Sequence, residues 1–236
     1  MTIRAKLRKD AMKMAVSILQ SAKDPNNLHK THGKYLVVPD HYDLKRQAVN
    51  RLLAHPLLQP LIAERFAAPW PSLDAMSDMP IGSLGFCVHA RVKGLGIKEL
   101  EFPPPSSDSD EDYLNNRIAI THDIHHVILG VPITVAGEAA THAYYGCTRE
   151  DPFYIGTLAT WMTHGLMAPE QHRIIWEAIS FGSRVGLEGP FLDACRWEEG
   201  WERPLEEWRS ELGLLPLLEN SPFQDEIHRW KTLSSG

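Results

Sequence analysis

Apolar residues in this chain recur at every third or fourth position while two-residue alternation is almost absent, and this periodicity limits the fold more than any other feature. Segments 3–20, 44–66, 113–129, 133–147, 153–166, 170–183 and 203–215 read as helices, which predicts an all-α fold. Pro132, Pro152 and Pro169 stand at or just before helix starts, where a missing N–H costs least. The glycine-rich stretch "DMPIGSLGFCVHARVKGLGIKELEF" (78–102) has no clear 3.6 period and reads as a loop, a turn or a short hairpin. Residues 103–112, "PPPSSDSDED", form an acidic linker expected to deliver Asp or Ser caps to a helix starting near Tyr113. With 236 residues the chain can bury a substantial core, and residues 1–236 are expected to form one multi-helix bundle.

Composition excludes several classes. The 43% hydrophobic and 23% charged fractions suit a soluble globular protein. A net charge of −6, with no basic aromatic stripe, argues against nucleic acid as a partner. Cys87, Cys147 and Cys195 are too far apart for a CxxC motif and read as buried, inert thiols of a reducing compartment, the cytoplasm. Gly130, Pro132 and Glu138 interrupt the best candidate for the roughly 20 apolar residues that cross a bilayer. Within the first helix, Ile3, Leu7, Ala11, Met14, Ala15 and Ile18 share a face, with Arg4, Lys6, Arg8, Lys9 and Lys13 around the remainder. That pattern fits a core helix with a solvated basic face; a helix lying on a membrane surface is the alternative. Phosphate loops of the GxGxxG or GxxxxGK type and a GxSxG nucleophile elbow are all missing from the sequence.

The stretch "THDIHHVILGVPITVAGE" (121–138) carries the chemistry. On a helix, His122 and His126 are separated by about 6 Å of rise and share a face, so both imidazoles can converge on one ion. Asp123, rotated about 100° from His122, is a further ligand or orients a bound water. Gly130 and Pro132 stop one helix and start another, and an antiparallel turn would bring Glu138 level with the histidines. Two imidazoles and two carboxylates suit zinc first, with iron, manganese or magnesium as other divalent candidates. His125 falls on the other side of the helix, at the surface or beside the site. His142, one turn after Glu138, would support that carboxylate or line the site. Core packing is the default explanation for Trp161, His164 and Trp176, and histidines sharing an ordinary helix is the competing account of the whole stretch.

The spacing HDxxH, eleven residues, then Glu resembles the coenzyme Q biosynthesis protein 4 family. Thr121, Leu129–Gly130, Pro132, and Arg117 five residues before His122 add to the likeness, as do "FGSRVG" (181–186) and "GWERPLEEWRSELGL" (200–214). The similarity covers roughly residues 110–215; His125 departs from it where a bulky apolar residue is usual, and so do extra residues between Arg184 and Trp201. The resemblance implies an all-α protein that binds zinc through His122, Asp123, His126 and Glu138 and works in ubiquinone synthesis. It further implies a lyase-type oxidative decarboxylation of a polyprenylated hydroxybenzoate and contacts with other quinone-biosynthesis proteins at a membrane surface; a homodimer stays open. Arg117 and Asp123 are then the catalytic candidates, Arg117 and Arg184 the substrate-binding ones, and an apolar groove would take the isoprenoid tail. The alternative is a non-catalytic polyprenyl-lipid scaffold with a structural metal. A weaker one is an HD-type phosphohydrolase using His89, the His122–Asp123 dipeptide and Asp151 or Asp193.

Overall fold

A computed structural model describes residues 3–23, 43–96 and 109–234. Among these the regular structure is helical throughout, without a strand: α1 (Ile3–Ala22), α2 (Leu44–Leu53), α3 (Gln59–Glu64), α4 (Leu73–Ser77), α5 (Leu84–Gly94), α6 (Asp110–Leu129), α7 (Val135–Arg149), α8 (Pro152–Met167), α9 (His172–Glu188), α10 (Leu205–Glu211), α11 (Leu215–Leu218) and α12 (Gln224–Ser234), with short 3₁₀ turns between. The all-α expectation is met. Two compact units divide the chain, one of residues 1–49 with 133–187, the other of residues 50–132 with 188–236. No described helix is long and apolar enough to cross a membrane.

In the first unit α8 packs against both α1 and α7. Pro152 opens α8 at its first position and Asp151 caps it, its carboxylate accepting from the Phe153 N–H at 2.8 Å. Helix α9 approaches α7 through two glycines one turn apart. A Cβ at Gly182 would stand 1.9 Å from the Ala140 carbonyl oxygen, and one at Gly186 would stand 2.8 Å from that of Tyr144, so only glycine allows this approach. Helix α1 forms where expected, with its buried strip displaced from the expected face: Met14 and Ile18 are half-buried, while Ala11 and Ala15 are exposed. Ser17, Ser21 and Ala22 are buried, while Met12, Val16 and Leu19 are exposed. Ser17 bonds the Met14 carbonyl of its own helix at 2.8 Å, which satisfies its buried hydroxyl. Trp161 and His164 are core residues, whereas Trp176 is about half exposed, contrary to its expected core role.

The second unit centres on Leu52, Leu58, Leu61, Ile62, Tyr113 and Leu114, with Phe66, Ile118 and Phe191 packed around them. Segment 44–66 is two helices and not one, because Pro56 cannot supply a helical N–H and ends α2. The stretch read as loop or hairpin contains helix α5, capped by Ser83, whose hydroxyl accepts from the Phe86 N–H at 3.3 Å. Leu84, Gly85, Cys87, Val88, Arg91 and Val92 share one buried face, but that face includes Gly85 and the charged Arg91, while the apolar Phe86 and Ala90 lie off it, so the stripe is weak in the sequence. Ser109 caps α6, and Asp110, Glu111 and Asp112 fill its first turn next to the positive end of the helix dipole. The helix therefore begins within the acidic tract assigned to a linker, whose residues 103–108 lie outside the described residues. Helices α11 and α12 were not anticipated.

Candidate metal centre

Helix α6 ends at Gly130, whose φ of 61° is left-handed backbone that glycine adopts without a Cβ penalty. The cap is closed by the Val131 N–H, which donates to the His126 carbonyl at 3.0 Å. Val131 returns the contact through its own carbonyl, 3.3 Å from Nδ1 of the fully buried His126. A carbonyl can only accept, so Nδ1 carries the proton and, in a neutral ring, the lone pair sits on Nε2. One turn earlier, Nδ1 of His122 meets the Asp123 carboxylate at 3.3 Å, which assigns its Nε2 in the same way. The two ring centroids are 4.8 Å apart. The structure thus brings His122 and His126 together, with Asp123 behind the His122 ring. Oxygen acceptors at both Nδ1 atoms are the arrangement a pair of metal-binding histidines requires, and these residues fit a divalent ion.

On the other unit, Thr134 caps α7 by accepting from the Gly137 N–H at 3.2 Å, which places Glu138 in the first turn, where the dipole favours a carboxylate. His142, one turn on, faces it, with Nε2 3.9 Å from a carboxylate oxygen. The Trp161 indole donates to Nδ1 of His142 at 2.9 Å. An indole N–H is a donor only, so the His142 proton lies on Nε2, directed at Glu138. The sequence offered His142 as a support for Glu138 or as a residue lining the site; the structure places it beside Glu138 and Trp161.

Other candidates have different duties. Arg117 forks onto both carboxylate oxygens of Glu198 and bonds the Cys195 carbonyl; both charged side chains are essentially unexposed. Its guanidinium is committed to a buried pair that leaves no fork for a substrate carboxylate. His125 does lie opposite the His122 face, yet it is completely buried, edge-on to Trp197 at 6.1 Å, and not at the surface. Arg184 is half-buried on α9. His89 stands on helix α5, not in a loop, and among the described residues it forms no ligand cluster with His122 and Asp123, while Asp151 is the α8 cap. All three cysteines are free, with Cys147 and Cys195 only partly buried; burial pushes the Cys87 and Cys195 thiols up to about 12.

Sequence reasoning missed the residues that fix the end of α6. Arg209, fully buried, donates from Nε to the Ile128 carbonyl at 2.9 Å and from Nη2 to the Val127 carbonyl at 3.0 Å, while Nη1 meets Glu206. Arg91 donates from Nη1 to the Val131 carbonyl at 2.8 Å and from Nη2 to Glu226 at 2.8 Å. Burial lowers the pKa of both guanidiniums, opposed chiefly by Glu206 at Arg209 and by Glu226 at Arg91. Apart from the Arg209–Glu206 pair, these contacts join residues 40 to 135 positions apart, and no local spacing announces them.

The helices and the paired histidines define an all-helical protein of the HDxxH kind. The family model "Coenzyme Q (ubiquinone) biosynthesis protein Coq4" matches residues 73–217, and the chain belongs to that family. It is 26% identical over 147 residues to "Ubiquinone biosynthesis protein COQ4, mitochondrial" of Vanderwaltozyma polyspora, covering 61% of this chain and 42% of that protein. It is 29% identical over 164 residues to the protein of similar name in Talaromyces marneffei, covering 66% and 53%. The chain thus spans about half the length of these curated relatives. A crystal structure of a putative ubiquinone biosynthesis protein from Nostoc punctiforme is similar at a TM-score of 0.70 and 26% identity, over 87% of this chain and 99% of that one.

Proposed function

We propose that this protein acts in the synthesis of ubiquinone or a related isoprenoid quinone, with His122, His126 and Glu138 binding a divalent ion, zinc first, and Asp123 orienting His122. The family match over residues 73–217, which spans the whole HDxxH…E stretch, is the observation that carries the reading. A divalent ion supplies positive charge that neutralises the carboxylate or phenolate of a prenylated aromatic acid. His122 and His126 present Nε2 from one helix face, and Glu138, aimed by His142, balances the charge. The reaction class is oxidative decarboxylation, in which carbon dioxide leaves the ring and a hydroxyl takes its place, with an external oxidant. An apolar groove within the helical fold would take the isoprenoid tail, with other quinone-biosynthesis proteins and a membrane surface as partners.

The second reading is a scaffold that binds a polyprenyl lipid and uses the metal structurally. Two observations favour it: His126 is wholly buried, and Arg117 is already paired with Glu198. Chelation separates the readings, because a structural ion contributes folding free energy and its removal unfolds the chain, whereas a catalytic one leaves with the fold intact. The test of the whole proposal is elemental analysis of the purified protein, lipid extraction, and complementation of a quinone-deficient strain with His126→Ala and Glu138→Gln. Both variants should lose the ion and complementation. Retention of function by both, with no metal or prenylated lipid in the native protein, overturns it.

A further inference from the structure

The Val131 carbonyl receives two donors, Nδ1 of His126 at 3.3 Å and Nη1 of Arg91 at 2.8 Å. It belongs to the peptide that joins Val131 to Pro132, a residue with no N–H of its own to help anchor the turn. Val131 is wholly buried, and its N–H is bonded to the His126 main chain. The orientation of this peptide therefore decides whether the His126 ring finds an acceptor at Nδ1. Arg91 fixes that orientation with a rigid fork, one arm on the carbonyl and the other on the buried carboxylate of Glu226. Glu226 lies on α12, past residue 217, where the family match ends.

We infer that Arg91 is a positioning residue for His126: by holding the Val131 carbonyl it keeps the imidazole proton on Nδ1 and the lone pair on Nε2 for the ligand role, and Glu226 holds Arg91 in place. This rests on the reading of His126 as a metal ligand. A mere strut between α5 and the α6–α7 turn would affect stability alone. A positioning contact alters the ring as well, so ring state and metal affinity must change with it.

The informative variant is Arg91→Met with Glu226→Gln, since replacing both partners leaves no unpaired buried charge. Three readings are taken on the folded protein: zinc affinity by chelator competition, the visible spectrum of bound cobalt(II), and the nitrogen-15 NMR tautomer signature of His126, assigned by loss of its signals in His126→Gln. We expect about 10- to 100-fold weaker zinc binding, as for loss of other outer partners of metal-bound histidines, with a shifted cobalt spectrum and loss of the pure Nδ1–H signature. Unchanged affinity, spectrum and tautomer overturn the inference whatever the melting temperature does. If the double variant does not fold, Arg91→Lys decides by the same readings, because it keeps the charge but not the fork. Should native protein and His126→Ala bind zinc equally, the ligand reading fails, and the tautomer signal alone then settles whether Arg91 sets the His126 ring.

Discussion

Where α9 meets α7, two helices come together because side chains are missing; where α6 ends, helices are tied by arginines, among the longest side chains available. Gly182 and Gly186 admit the α7 backbone to distances that a methyl group would forbid. Arg91, Arg117 and Arg209 instead reach buried carbonyls and carboxylates from α5, α6 and α10. The two devices fail in opposite ways. Close packing fails when atoms are added, and a buried ionic tie fails when one partner is removed and the other charge is left stranded. The unit that carries both candidate histidines uses the second device.

The largest expected effect comes from Glu198→Ala, which leaves the Arg117 guanidinium without its carboxylate in a site with almost no exposure. Its cost should be about 3–5 kcal/mol, read as a lowered unfolding midpoint with faster amide exchange in α6. Arg117→Met with Glu198→Gln should recover most of it; no recovery would mean that packing, not charge, holds that region. Next comes Gly182→Ala, whose methyl meets backbone oxygen and not a movable side chain, at about 1–3 kcal/mol, with faster exchange concentrated in α7 and α9. An equal rise in α6 would break the contrast between the units. Smallest is the response to alkali. Cys87 and Cys195, both in the arginine-tied unit, have thiols held up to about 12 against an ordinary value of 9.0. The unfolded chain therefore ionises them first: their contribution is fully present below pH 9.0 and is lost as pH climbs towards about 12. One unit above the ordinary value the loss is roughly 1 kcal/mol per thiol, visible as a falling urea midpoint that flattens when both cysteines are replaced by alanine.

Helices with one buried face were legible in the sequence because a one-sided stripe is what periodicity detects. Helix α5 was not, since its buried face carries Gly85 and Arg91 while Phe86 and Ala90 lie off it, which blurs the stripe. Helix α1 was found but its buried strip is displaced from the expected one, because Ser17 and Ser21 look polar in a sequence although both are buried, Ser17 with its hydroxyl bonded within the helix. At the candidate site, the shared face of His122 and His126 followed from 3.6 residues per turn, and the turn after α6 from Gly130 and Pro132. The partners of Arg117, His125 and His126 did not. Trp197 and Glu198 are brought to α6 from the far end of the chain, and the Val131 carbonyl is a main-chain atom that no residue letter encodes.

That last point extends to Arg209. Its two bonds to α6 end on the carbonyls of Val127 and Ile128, so any residue at those positions offers it the same oxygens. The dependence runs one way: position 209 needs a guanidinium, while 127 and 128 can exchange one apolar residue for another without the bond noticing. Comparing the sequences of relatives for paired substitutions would thus register nothing between these sites, although they touch. A tie of this kind is invisible to covariation, and only a change at Arg209 itself reveals it.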